Sequence, residues 1–487
     1  MKRFTLLLTI TMLIFSALSG CGSDKKESGL TPADLAAATY VGSERCAGCH
    51  SDIYSTFIKS GHPYKYQHTG GATPGTYAIP GLFPTPLLTG ISTSTLNGLI
   101  VSDGTTTPRL NWSAVNYTIG GYGWKIRWGI RDYGQDSQSP WVNDTGYIWA
   151  GSQTQYNIRT GTSSAYSGGQ DKKYECAICH NTNGIVSTSG YSCFTDGGTD
   201  ALPARPQPWA KNPGMGPVTH GGYYSSWSLD SVQCEECHGP GSVHVDGPWR
   251  TGSIVKNRTI SGGVEICAKC HIRSTNTTGQ DGECGGDANP AILTNGAVAS
   301  GDFISHHESY NELVGYNGDG VHASLKCTTC HDPHKRATTV IEAVRAVLGI
   351  SDNHLSAETR GAIKRSCLSC HPGKEQAKTT AMQDSHRKNN VTCVDCHMAE
   401  ATKTATDSGT AGWGRKGDLK THIFRIDPTG TTITRTNADG KTIATNYITP
   451  RYACGKCHDS AIYGSVISGP TNTTDAATAA DNYHTGP

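Results

Sequence analysis

Sixteen of the nineteen cysteines fall into eight copies of one spacing, Cys-x-x-Cys-His. The copies are Cys46, Cys49 and His50; Cys176, Cys179 and His180; Cys234, Cys237 and His238; and Cys267, Cys270 and His271. Downstream follow Cys327, Cys330 and His331; Cys367, Cys370 and His371; Cys393, Cys396 and His397; and Cys454, Cys457 and His458. Thiols at i and i+3 lie on one side of a helical turn, so each pair can add to the two vinyl groups of one haem. The histidine after the second thiol then places its imidazole under the iron. Zinc knuckles also use Cys-x-x-Cys but need no histidine behind it, and a redox dithiol has no reason to recur eight times. The motifs specify eight covalently bound haem c groups, with the cysteines as thioether positions and the histidines as proximal iron ligands.

What each iron can do depends on its other axial ligand. Twelve histidines remain: His62, His68, His220, His244, His306, His307, His322, His334, His354, His386, His422 and His484. Beyond the N-terminal leader the only methionines are Met215, Met382 and Met398. Histidine supply exceeds demand and methionine supply falls short, so bis-histidine ligation is expected at most or all irons. Such ligation closes the open position that substrate chemistry needs and sets lower potentials than a Met/His pair. No catalytic residue is assigned.

Several of the twelve stand in phrases that resemble distal-ligand contexts of multihaem cytochromes from metal-respiring bacteria. His62 lies in Ser-Gly-His-Pro-Tyr-Lys-Tyr, and His244 ends Cys-His-Gly-Pro-Gly-Ser-Val-His. His322 and His334 flank the fifth motif, His386 precedes Val-Thr-Cys-Val-Asp-Cys-His-Met, and His422 heads His-Ile-Phe-Arg-Ile-Asp-Pro. His306-His307 precede Glu-Ser-Tyr, and His307 is preferred as the ligand. The expected distal set is thus His62, His244, His307, His322, His334, His386 and His422. The eighth comes from His220, His354, His68 or His484, with His220 and His354 favoured. For each, the competing account is a surface or hydrogen-bonded imidazole. Which histidine serves which motif is left open.

The elements that must hold these groups are sparse in the sequence. Only 36% of residues are hydrophobic, 59 are glycine, and the mean hydropathy is −0.42. With about one haem per sixty residues, the chain can wrap large apolar discs in place of building a wide side-chain core. The fold class expected is a multihaem cytochrome c: mostly irregular, with short α-helices around the Cys-x-x-Cys-His motifs and a small β-rich insert. Motifs begin at Cys46, Cys176, Cys234, Cys267, Cys327, Cys367, Cys393 and Cys454, so the first gap is by far the longest. That divides the chain into a leader (1–20), a tether (21–39), a first-haem segment (40–69) and a haem-free β-rich insert (70–170). A seven-haem array (171–459) and a C-terminal tail (460–487) complete it.

In the insert, Trp124 to Ile130 alternates apolar residues with Lys125 and Arg127, the period of a half-buried strand. Tyr147-Ile148-Trp149 and Tyr156-Asn157-Ile158 read as further strands, their aromatics forming a core of the insert's own; covering haem edges or a docking surface is the other reading. Asp52 to Lys59 predicts a helix with Ile53 and Phe57 one turn apart, and Val340 to Leu348 carries a second helical stripe. Residues 431–436 and 441–445 flank Asn437-Ala438-Asp439-Gly440, a hairpin signal. Cys193 and Cys284 are left over, and the sequence does not say whether they pair.

The first residues read as an address. Met1-Lys2-Arg3 is positive, Phe4 to Leu18 is nearly all apolar, and Leu18-Ser19-Gly20-Cys21 closes the run. This resembles the lipobox of bacterial lipoproteins, which implies lipidation at Cys21, an exported chain, and outer-membrane placement in the absence of an aspartate after the cysteine. Lys and Arg total 41 against 40 Asp and Glu, so no basic field gathers nucleic acid. Each ferric bis-histidine haem with both propionates ionised adds about −1, which takes the oxidised holoprotein to about −7.

Taken whole, the chain resembles the multihaem outer-surface cytochromes of metal-reducing bacteria, most closely over 40–68 and 174–458. The resemblance implies electron transfer to metal oxides, other redox proteins or a porin–cytochrome conduit, at the cell surface or the periplasmic face of the outer membrane. Octahaem reductases or oxidoreductases of nitrite, hydroxylamine or sulfur oxyanions are the enzymatic alternative. Reductases of that class carry lysine for the motif histidine at the catalytic haem, whereas all eight motifs here end in histidine. A polymeric cytochrome filament is a third reading.

Overall fold

The computed structural model describes residues 38–68, 115–122, 125–131, 144–148, 151–157, 162–166, 172–174, 176–182, 185–188, 191–192, 225–246, 259–260, 264–272, 296–306, 308–336, 363–372, 374, 386, 391–404, 406–409 and 412–459. All eight motifs fall within it. The leader, most of the tether, the 340–348 stripe, Cys193, Cys284, the C-terminal tail and His220, His307, His354 and His484 lie outside the described residues.

Every motif sits on a short helical turn, among them Ala177–His180, Cys234–His238, Cys327–Cys330, Cys393–His397 and Gly455–His458. The closing contact recurs: the histidine N–H donates to the carbonyl of the first cysteine, at 2.8 Å in the first and fifth motifs and 3.0 Å in the fourth, sixth and eighth. One α-turn therefore suffices to put two thiols on one side with an imidazole beside them. In the seventh motif the turn is fixed by a capping box in which Thr392 and Asp395 bond reciprocally.

The largest sheet has the order β1 (Tyr66–His68), β2 (Val115–Gly120), β3 (Lys125–Arg131), β4 (Asp144–Ile148) and β7 (Lys172–Lys173). β5 (Gly151–Asn157) pairs the first residues of β3 and also pairs β6 (Thr162–Tyr166). On β3 the expected alternation appears: Ile126 and Trp128 are buried at 1% and 0% exposure, while Lys125 and Arg127 take the other face. Gly120, at φ +79°, makes the β2–β3 connection; a Cβ there would lie 2.7 Å from the Lys125 carbonyl oxygen.

Two expectations about organisation change. First, the insert does not keep a core to itself. Its sheet recruits Tyr66 and Lys172–Lys173 from the neighbouring segments, with Tyr66 in register with Ile119. Tyr66 is stacked between Tyr117 (4.3 Å) and Tyr174 (4.4 Å), with Trp227 edge-on at 5.0 Å, and Ala177 of the second motif closes the cluster. A small twisted sheet has too little apolar surface to bury alone, so its aromatics seat a haem motif instead.

Second, the first motif is isolated along the chain and not in space. Glu235, inside the third motif, accepts hydrogen bonds from the amides of Val41 (2.9 Å), Gly42 (2.7 Å) and Gly241 (2.7 Å). Ser43 N donates to Gln233 Oε1 at 2.8 Å, and Arg45 pairs with Asp246. The helix Ser51–Phe57 buries Phe57, but Ile53 stays 44% exposed, because the start of that helix lies at the surface with Cys49 and His50.

A second core lies around the seventh and eighth motifs, where Phe303, Ile304, Ile423, Ile433, Ile448 and Tyr452 pack with small alanines. The hairpin Thr434–Thr436/Thr442–Ala444 forms as expected, its turn closed by Gly440 N to Asn437 O (3.0 Å) with Gly440 at φ +76°. Gly414 packs against Gly455 of the eighth motif so closely that a Cβ on either would meet the other's backbone at 2.5 Å. Among the described residues no helix is long and apolar enough to cross a membrane.

Candidate haem centres

Five motif histidines face a second imidazole. Ring centroids lie 6.5 Å apart for His271 and His62, 6.0 Å for His238 and His334, and 5.9 Å for His371 and His322. They lie 6.0 Å apart for His331 and His422 and 5.9 Å for His458 and His386. Two imidazoles bound at about 2 Å on opposite faces of one iron hold their centroids about 6 Å apart. Each pair offers two nitrogens and no third side chain, and no cluster of three or more His, Cys, Asp or Glu exists among the described residues. That donor set suits an iron whose other four positions are macrocycle nitrogens. Ring nitrogens of His244, His322 and His458 are buried without a protein hydrogen-bond partner, and all sixteen motif thiols are free of disulfides. On these observations the residues fit haem c.

The partners come from far along the chain. His322 and His334 flank the fifth motif, yet they face the sixth and the third; the fifth faces His422. His244 sits on the helix Ser242–Asp246, tied to the first motif through Arg45–Asp246 and to the third through Glu235–Gly241. Of His68 and His306, neither takes part in the five pairs.

Ligation needs a neutral imidazole, and burial supplies it. Desolvation pushes His62 down to about 4, with Lys65 and His334 adding, and His331 to about 4, with His422 adding. His271 falls to about 3, through burial first and then the neighbouring His62. His322 and His386 move the same way for the same leading reason. Their lone pairs are therefore available at neutral pH.

Other side chains aim these rings. Glu312, 3% exposed, accepts from the Thr402 hydroxyl (2.5 Å) and the His422 amide (2.7 Å), and its Oε2 lies 3.4 Å from His422 Nδ1. The Phe424 carbonyl accepts from His397 Nδ1 at 2.8 Å, while the Phe424 ring meets His322 edge-on at 4.5 Å. Asp332 Oδ1 contacts His334 Nδ1 at 3.2 Å. The sequence carried no signal for Glu312, and Phe424 stood in the phrase headed by His422 without a role of its own. Around His180 the setting is cationic: burial first, then Lys65, with Arg127 and Lys125 also contributing, lowers it to about 3.

The x positions of the motifs do the joining. Lys269 of the fourth motif forms a buried ion pair with Glu236 of the third, and the Lys269 carbonyl oxygen lies 3.8 Å from Cys179 Sγ of the second. Lys456 of the eighth approaches Asp395 of the seventh at 3.7 Å, and Lys364 N donates to the Cys330 carbonyl at 2.7 Å, joining the fifth to the sixth.

Eight attachment turns, paired imidazoles and little regular structure define an octahaem c-type cytochrome. It resembles the dissimilatory sulfite reductase MccA of Wolinella succinogenes, 29% identical over 216 residues, which is 40% of this chain and 26% of that protein. The chain thus matches about a quarter of that relative's length. Among solved structures, the octaheme sulfite reductase MccA of the same organism aligns at TM-score 0.49 and 16% identity, covering 94% of this chain and 72% of the other. The outer cell wall cytochrome OcwA aligns at TM-score 0.43 and 18% identity, covering 91% and 86%. No protein-family model matches the chain.

Proposed function

We propose that this protein is an exported electron carrier, anchored by lipid at Cys21 to the outer membrane and passing electrons to metal oxides or other redox proteins. The observation that carries the reading is the set of five imidazole pairs, since an iron held on both faces by histidine keeps no place for substrate. We place His62, His334, His422, His322 and His386 opposite His271, His238, His331, His371 and His458, and His244 beside the first motif. Bound haem supplies the one-electron couple. The chain's part is to hold the rings neutral, orient them through Glu312, Asp332 and the Phe424 carbonyl, and keep the attachment turns in contact.

A specific observation favours a second reading, reduction of a sulfur oxyanion. The relative matched in sequence is a sulfite reductase, and Lys65, Arg127 and Lys125 gather about His180, where an anion would find attraction. Low-temperature EPR with near-infrared magnetic circular dichroism on the oxidised holoprotein, with and without sulfite, separates the two. The carrier reading expects low-spin bis-imidazole signatures throughout. His238 and His334, only 6° apart in plane, should give the most rhombic signal, and the pairs at 69° to 82° broad low-field features. A high-spin iron whose spectrum shifts with sulfite would overturn the carrier reading and make the His180 site catalytic.

A further inference from the structure

The protein reaches the surface at two motifs. In the first, Cys49 and His50 are exposed; in the sixth, Cys367, Cys370 and His371 are. Their surroundings differ in charge. Near the first motif lie Glu44, Asp52 and the Arg45–Asp246 pair, a mixed field.

Around the sixth motif the exposed charged side chains among the described residues are all positive. His331 bridges to Ile363, and Lys364 N bonds the Cys330 carbonyl, which lays the fifth and sixth motifs side by side. Lys326 directly precedes the fifth motif, Arg365 directly follows Lys364, and Lys374 N bonds the His371 carbonyl at 3.3 Å. Lys326, Lys364, Arg365 and Lys374 are all exposed, and among the described residues no carboxylate pairs with any of them. The nearby carboxylates Asp319 and Asp332 are already engaged, by Arg435 and by His334 with Lys335. Beside Lys326, the loop that carries His322 to its position 5.9 Å from His371 exposes Val321 (54%) and Leu325 (40%).

We propose that this face is the docking port through which the protein exchanges electrons with an acidic redox protein. The proposal rests on the electron-carrier reading. Exposed apolar residues beside unpaired cations have the character of an electrostatically steered interface: the charges orient the encounter and the apolar contact shortens the path to the sixth centre. With about −1 added by each oxidised haem the holoprotein as a whole is negative, so a local positive face also decides which way an acidic partner can approach.

Stopped-flow reduction of the oxidised holoprotein by reduced flavodoxin, a small acidic protein used as probe, tests it. The wild-type rate should fall as ionic strength rises. Reversing these cations (Lys326→Glu, Lys364→Glu, Arg365→Glu, Lys374→Glu) should slow it about tenfold or more at low salt and flatten or invert the salt dependence. The milder Lys364→Gln, Arg365→Gln variant should fall between, and a haem content of eight verifies assembly of each variant. Equal flavodoxin rates in wild type and variants would sink the port. So would an unchanged salt dependence accompanied by a shifted midpoint potential at one haem, which would assign the cations to propionates. Reduced methyl viologen, a cation, should reduce all eight haems in every variant; failure to do so in the wild type would overturn the carrier reading itself.

Discussion

Glu312 shows what a single carboxylate can do at this scale. It is buried, holds the His422 amide, and keeps an oxygen near His422 Nδ1, so it fixes the ring and places negative charge behind the ligand. Negative charge there favours the ferric state. In Glu312→Gln the midpoint potential of one haem should rise while the other seven hold still, as read by spectroelectrochemical titration. A uniform change across all eight, or none, would leave Glu312 with a packing role alone. That histidines would face the motif histidines was legible from supply and demand, because twelve spare histidines stood against three usable methionines. Their pairing was not. Nothing in Val-His-Ala-Ser or Asp-Pro-His states that His322 faces the sixth motif and His334 the third, since that depends on how distant turns pack.

Among the elements, the clip made by Glu235 binds the N-terminal segment to the third motif. Burial pushes its carboxyl up, while the amides of Val41, Gly42 and Gly241 pull the other way. In Glu235→Gln one carboxylate oxygen becomes an N–H that faces backbone N–H groups. Leaving a buried donor unmatched costs about 1–3 kcal/mol, so limited proteolysis should cut 38–50 faster, with the remainder of the holoprotein intact. The β3 alternation and the hairpin turn at Asn437 to Gly440 could be read directly, because each is fixed by residues close in sequence. The sheet's reach to Tyr66 and Lys172 could not, because register with distant strands is set by what their aromatics bury. Ile53 failed for the same reason: its spacing with Phe57 is helical, and only the tertiary surroundings decide which end of that helix is covered.

For the molecule as a whole, the thin composition has a direct consequence. Among the described residues the apolar clusters named above are small, and attachment turns touch through pairs such as Lys269–Glu236 and contacts such as Gly414–Gly455. Without haem, clusters of this size should not offset the ordering entropy of so long a chain. Protein made in a host lacking the attachment machinery should show no cooperative thermal unfolding and rapid proteolysis throughout; a compact apoprotein would contradict the view that the cofactors form the core.

The crossed pairing of histidines also sets a timetable. As the chain emerges from its N-terminus, the fourth, sixth and eighth motifs find partners already present in His62, His322 and His386. The third must wait for His334 and the fifth for His422. On the proposed pairing, two irons in the middle of the chain would stay one-sided after their haems were attached, and maturation would not finish in the order in which it begins. A truncation just before His422 would leave seven attachment motifs present and the fifth permanently unfinished.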